Sequence, residues 1–147
     1  MNALKIIAFA GLVCGVLDIT ASGTLFVLKG GTLERILQFI ASGAMGAKAF
    51  AGGKKTAAAG LFLHFVIAFS AATAYYLLST QIPFLLTHAA LSGILFGAAV
   101  HLFMSLVVVR LSAAPKREFS ASAFLTQLVI HMFLVGLPIA LVVRHFW

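Results

Sequence analysis

Residues 56–109 read TAAAGLFLHFVIAFSAATAYYLLSTQIPFLLTHAALSGILFGAAVHLFMSLVVV, without a single Asp, Glu, Lys or Arg. A helix that crosses a bilayer takes about 20 apolar residues, so this stretch has room for two. Pro83, in Gln81-Ile82-Pro83, marks the turn between them because it cannot donate to a continuing helix. Outward from there, a second uncharged run from Phe119 to Val143 is long enough for one more span. Towards the N-terminus, residues 4–28 are apolar apart from Lys5 at the edge and Asp18 in the interior. The pattern therefore predicts four helices, 4–28, 56–80, 84–110 and 121–143, in a single all-α transmembrane domain over 1–147.

Composition agrees. Of the 147 residues, 63% are hydrophobic and 9% charged, and the mean hydropathy is +1.15, far from the soluble norm of roughly half apolar and a quarter charged. A soluble domain of this size could not hide so much apolar surface. One Cys, little charge and no glycine period exclude a disulfide scaffold, a disordered chain and collagen. Lys5 followed by Ile6–Leu17, with Thr20-Ala21-Ser22 beyond, has the order of a cleavable signal. The apolar sequence continues to Leu28, however, so a retained first helix is expected.

Four spans put both ends of the chain on one side. The 29–55 loop holds Lys29, Arg35, Lys48, Lys54 and Lys55, and the 110–118 segment adds Arg110, Lys116 and Arg117, whereas the opposite side has Lys5 and Arg144. Cytoplasmic loops accumulate Lys and Arg, so the long loops are expected inside and both termini outside. The net charge of +7 then reads as topology and as attraction to anionic lipid headgroups. It does not read as nucleic-acid binding, since the basic residues are scattered without interleaved aromatics.

Residues 32–50 form an additional helical segment in this reading. Thr32 can cap a helix whose positive end Glu34 complements. Leu33, Ile36, Leu37 and Ile40 recur at helical spacing, as in a helix lying in the interface. The small residues of Ser42-Gly43-Ala44-Met45-Gly46-Ala47-Lys48 also allow a re-entrant path. A fifth span here would bury Lys48 and weaken the charge asymmetry, so four spans are preferred.

Ionisable groups in hydrocarbon cost at least about 2.5–3.5 kcal/mol at a helix centre, so Asp18 must face protein or trapped water. Counted from the cytoplasmic ends of the four predicted helices, Asp18 lies 10 residues in, His64 8, His101 9 and His131 10. At about 1.5 Å per residue these depths are roughly 12–15 Å, near the middle of a ~30 Å core. Each helix thus contributes one titratable side chain at one level. His88 falls close to the external turn instead. Small residues share the faces of the four: Gly11, Gly15 and Ser22 with Asp18, Gly60 with His64, Gly93 and Gly97 with His101. Gln127 stacks one turn before His131. Small residues let membrane helices approach and polar ones bond across the gap.

The plain reading of this layer is a set of hydrogen bonds that fixes helix register. The leading specific reading is a metal or haem site. His64 and His131 would be haem axial ligands, or Asp18, His64, His101 and His131 would together hold a transition metal such as zinc. The alternative is a proton-linked or ion-conducting oligomer that uses the same layer, since Asp and His chains recur as intramembrane relays. A third reading is a structural accessory subunit of a larger membrane complex. An enzyme is disfavoured because Ser22, Ser70, Ser105 and Ser122 lie in no nucleophile-elbow motif. Cys14 and Met104 read as packing residues, Tyr75-Tyr76 and Phe146-Trp147 as an aromatic belt, and Pro138 as a kink.

Four stretches, Gly15-Val16-Leu17-Asp18, Leu37–Gly43 leading to Phe50-Ala51-Gly52-Gly53, Leu106–Pro115 and Ile130–Leu141 (IHMFLVGLPIAL), resemble a family of small uncharacterised bacterial inner-membrane proteins. The resemblance implies a four-helix protein of the bacterial cytoplasmic membrane and carries no catalytic residue across.

The charge asymmetry makes a direct prediction. With Cys14→Ser as background, Lys54→Cys and Lys116→Cys should resist a membrane-impermeant maleimide added to intact spheroplasts, while Trp147→Cys should react. The reverse labelling pattern would invert the expected topology.

Overall fold

The computed structural model describes residues 1–116 and 118–147, and among them every regular element is helical. Helix α1 spans Ala3–Leu28. The Asn2 side chain caps it by accepting from the Lys5 amide at 3.0 Å. It stops at Gly30, whose φ of 86° is a left-handed conformation that glycine adopts without penalty. Helix α2 follows over Leu33–Met45, capped by Thr32, and a 3-10 turn over Gly46–Ala51 leads on. The segment expected to be helical at 32–50 is thus two pieces, broken at Gly46 with φ 65°.

Helix α3 runs Gly53–Gln81, α4 is a single turn at Phe84–Thr87, α5 covers Ala89–Leu111, and α6 covers Ala121–Phe146. The sequence reading of one helix over 84–110 is corrected by the break at His88 (φ −114°, ψ 46°). A tertiary bond lies at the break. The Tyr75 hydroxyl donates to the Leu85 carbonyl at 3.0 Å, the acceptor that the Ala89 amide would use in an uninterrupted helix.

Helices α1, α3, α5 and α6 are each long and apolar enough to cross a membrane. Their outward faces carry large apolar side chains, among them Phe9, Leu12, Phe62, Val66, Leu95 and Phe133. Helix α1 packs between α3 and α6, α5 packs on α6, and α2 lies against α3. The apolar core is made of Ile6, Ala10 and Cys14 from α1, Ala68, Ala72 and Tyr75 from α3, and Val135, Ile139, Ala140 and Val143 from α6. It fills the end of the bundle that holds the two termini.

Close approach comes from glycine. A Cβ on Gly136 would strike the Gly93 carbonyl and the Gly97 backbone, and one on Gly97 would strike the His131 carbonyl, so α5 and α6 meet backbone to backbone. A Cβ on Gly60 would likewise meet the Leu37 carbonyl of α2. Helix α6 widens to a π-helical stretch at His131–Gly136, immediately before Pro138. The kink expected from Pro138 is therefore taken up as extra residues in the preceding turn, where the proline ring would otherwise collide with the carbonyl four residues back. A second π stretch, Met104–Val108, interrupts α5.

These contacts set a testable contrast. Gly136→Ala should lower stability by about 1–3 kcal/mol through overpacking. Gly43→Ala, in α2 with only the Ser112 side chain 3.9 Å from the new methyl, should be neutral or stabilising by up to about 1 kcal/mol. Thermal unfolding in detergent measures both.

Candidate functional site

The polar layer begins one turn beyond the apolar core. His64 on α3 is 8% exposed, and its Nε2 lies 2.8 Å from the Gly15 carbonyl of α1. A carbonyl only accepts, so Nε2 bears the proton and donates it. The glycine at 15 allows the contact, because Phe65 and Ala68 of α3 occupy the space a Cβ would need. His64 Nδ1 then faces Asp18 Oδ2 at 3.9 Å. If Nδ1 were bare and Asp18 ionised, two lone-pair-bearing groups would oppose each other in surroundings that screen charge poorly. A proton on either one removes the conflict, as a neutral acid facing a neutral imidazole or as a carboxylate facing an imidazolium. At 3.9 Å the two groups face each other just beyond direct hydrogen-bond reach.

Asp18 is tied further into the bundle. The Ser22 hydroxyl lies 3.3 Å from Asp18 Oδ1 and 3.2 Å from Gln127 Oε1. One hydroxyl proton serves one acceptor. With the Gln127 amide turned so that its NH2 donates to Ser22, the hydroxyl is free for Asp18 and all three groups are satisfied. A continuous polar chain thus runs from the Gly15 carbonyl through His64, Asp18 and Ser22 to Gln127, crossing three of the long helices.

The other two histidines meet each other. The His101 and His131 ring centroids are 5.0 Å apart, inclined by 53°, and Phe124 lies against His101 at 4.7 Å. His131 Nδ1 donates to the Gln127 carbonyl one turn back at 2.8 Å, so Gln127 touches both pairs. His101 is 5% exposed, and its Nε2 is buried with no hydrogen-bond partner. Such an orphan costs roughly 1–3 kcal/mol.

The four residues singled out in the sequence are therefore brought together in neighbouring pairs, Asp18 with His64 and His101 with His131. The His64–His131 pairing expected of a haem is not among these contacts. Among the described residues, no three His, Cys, Asp or Glu side chains converge to hold a metal ion. His88 stands apart, exposed and stacked on Phe84 at 4.4 Å, and the free Cys14 thiol is buried, donating to the Gly11 carbonyl at 3.4 Å. Tyr76 and Trp147 are in contact near the termini, with ring centroids 5.3 Å apart and inclined by 43°. The Gly15 carbonyl was not a sequence candidate, and its only signal was the glycine row preceding Asp18.

Fold and site together define a class: an all-α chain with four helices able to span a membrane and an Asp/His/Ser/Gln layer between them, which fits a multi-pass membrane protein. Compared with protein-family models, with curated proteins and with solved structures, the chain finds no match.

The Ser22–Gln127 link carries a prediction. A double-mutant cycle with Ser22→Ala and Gln127→Ala should give a coupling energy of about 0.6 kcal/mol, with ~1.7 kcal/mol as the upper end for such contacts. Strict additivity would show that the two side chains do not interact.

Proposed function

We propose that this chain is a proton-linked integral protein of the bacterial inner membrane, with both termini periplasmic and α2 lying at the cytoplasmic interface among the basic loops. The His64–Asp18 pair is the proton-binding centre, and Ser22 and Gln127 are the groups through which that proton communicates with α6. One observation carries the reading: His64 Nε2 is committed to the Gly15 carbonyl, which turns Nδ1 on the carboxylate and leaves the pair one proton to hold.

The same observation favours a proton over the haem or four-ligand metal reading. Zinc takes four ligands in structural sites and three protein ligands in catalytic ones, and no third His, Cys, Asp or Glu joins this pair among the described residues. A proton needs no more than two groups. Placed between helices rather than on one, it biases their packing: the imidazolium–carboxylate form adds charge attraction between α1 and α3, whereas the neutral form leaves only the His64–Gly15 hydrogen bond there. Uptake and release at this point are thereby linked to the α1–α3 contact and, through Ser22, to α6.

The test is proton flux into liposomes containing the purified protein and a trapped pH-sensitive dye, driven by a potassium diffusion potential. The wild-type protein should acidify the interior. Asp18→Asn should lower the rate by roughly two orders of magnitude, the scale on which a positioned proton donor or acceptor acts. Wild-type flux no greater than that of empty liposomes, or full flux in Asp18→Asn, would overturn the proposal.

A further inference from the structure

We infer that the His101–His131 pair is a second and separate site, one that binds a monovalent closed-shell soft metal ion, Cu(I), in two-coordinate fashion. Three features lead there. The first is the buried Nε2 of His101, a polar atom with no hydrogen bond of good geometry. The second is the state of His131. Its Nδ1–H is held by the Gln127 carbonyl, which leaves the Nε2 lone pair of a neutral ring available, the arrangement in which a backbone carbonyl fixes the tautomer of a ligating histidine. The third is proximity. The ring centroids are 5.0 Å apart, so a modest rotation of either side chain would bring both nitrogens to about 2 Å from one ion.

The identity of the ion follows from what the site lacks. Two neutral imidazoles and no third His, Cys, Asp or Glu among the described residues cannot satisfy Zn(II), which takes four ligands and would bring two charges into an apolar bundle. A proton shared by the two rings would leave an imidazolium whose own partner carboxylate, Asp18, is engaged with His64 and Ser22. A d10 monovalent ion is content with two nitrogen donors and brings one charge. Imidazole is a suitable copper ligand, and softness together with a low coordination number selects the monovalent state. The tight α5–α6 seam at Gly93, Gly97 and Gly136 holds the two rings in fixed register, and Phe124 covers His101. The ion would be enclosed rather than displayed, as suits a species that water and oxygen would otherwise attack.

This inference does not rest on the proton reading, because the two pairs are separate sets of side chains and each can fail alone. Its test is a competition titration of the purified, detergent-solubilised full-length protein with Cu(I) buffered by a chromogenic chelator under reducing, anaerobic conditions, followed by X-ray absorption at the copper edge. The expected result is about one Cu(I) per chain with two imidazole nitrogens and no sulfur scatterer. His101→Gln and His131→Gln should each weaken binding by at least about a hundredfold, beyond the 10–100-fold usual for removing a supporting residue of a metal site. Cys14→Ser should bind as the wild type does, and an unchanged thermal unfolding midpoint of each histidine variant guards against a collapse of the fold being read as loss of ligands. Absence of stoichiometric Cu(I), binding that survives both histidine variants, a sulfur scatterer that disappears in Cys14→Ser, or Zn(II) bound as tightly in competition would each overturn the site.

Discussion

A polar side chain set between apolar helices has no water to turn to, so each one must be answered by a group on its own or a neighbouring helix. The arrangement of α1, α3 and α6 around the polar layer follows from that constraint. His64 reaches a main-chain carbonyl on α1, Asp18 reaches His64 on one side and Ser22 on the other, and Ser22 reaches Gln127. The first of these links could not form at this helix spacing if α1 carried a side chain at position 15. Gly15 both admits the aromatic face of α3 and supplies the acceptor, so one residue brings two helices together and determines which nitrogen of His64 holds its proton.

The α5–α6 seam works by the same physics with less polarity. Gly93, Gly97 and Gly136 leave the crossing without a Cβ at those three positions, and small residues are what allow helices without a hydrophobic driving force to gain packing contacts. The π-helical stretch at His131–Gly136 lies in this seam. It accommodates Pro138 and at the same time starts at His131, setting that ring against His101. π-Bulges are frequently found where function requires a side chain to be aimed, and here a packing solution and a site solution share the same six residues.

The layer thus divides into two chemically different halves. One contains a carboxyl group and an imidazole that face each other at 3.9 Å, and the other contains two imidazoles, one with a buried unpartnered nitrogen. Gln127 stands between them, giving its side chain to the first half and its main-chain carbonyl to the second.

The four long helices were legible because bilayer thickness and the price of a charge in hydrocarbon write themselves into the chain as length and absence of charge. The runs at 4–28, 56–109 and 119–143 leave little freedom, and the break they conceal at His88 coincides with a tertiary bond between Tyr75 and Leu85. The membership of the polar layer was legible too, since Asp18, His64, His101 and His131 fall at one depth when counted along a helix. Which of them would touch was not. Depth is a property of each helix by itself, whereas partnership depends on how far each helix is rotated and how closely its neighbour comes, and here that was decided by Gly15, by Gly97 against Gly136, and by the extra residues of a π turn. The sequence by itself determined four apolar helices and a titratable layer. Only the tertiary structure decided that the layer is an Asp–His pair and a His–His pair instead of one four-ligand centre, because backbone approach, which no single helix encodes, sets which side chains come within bonding reach.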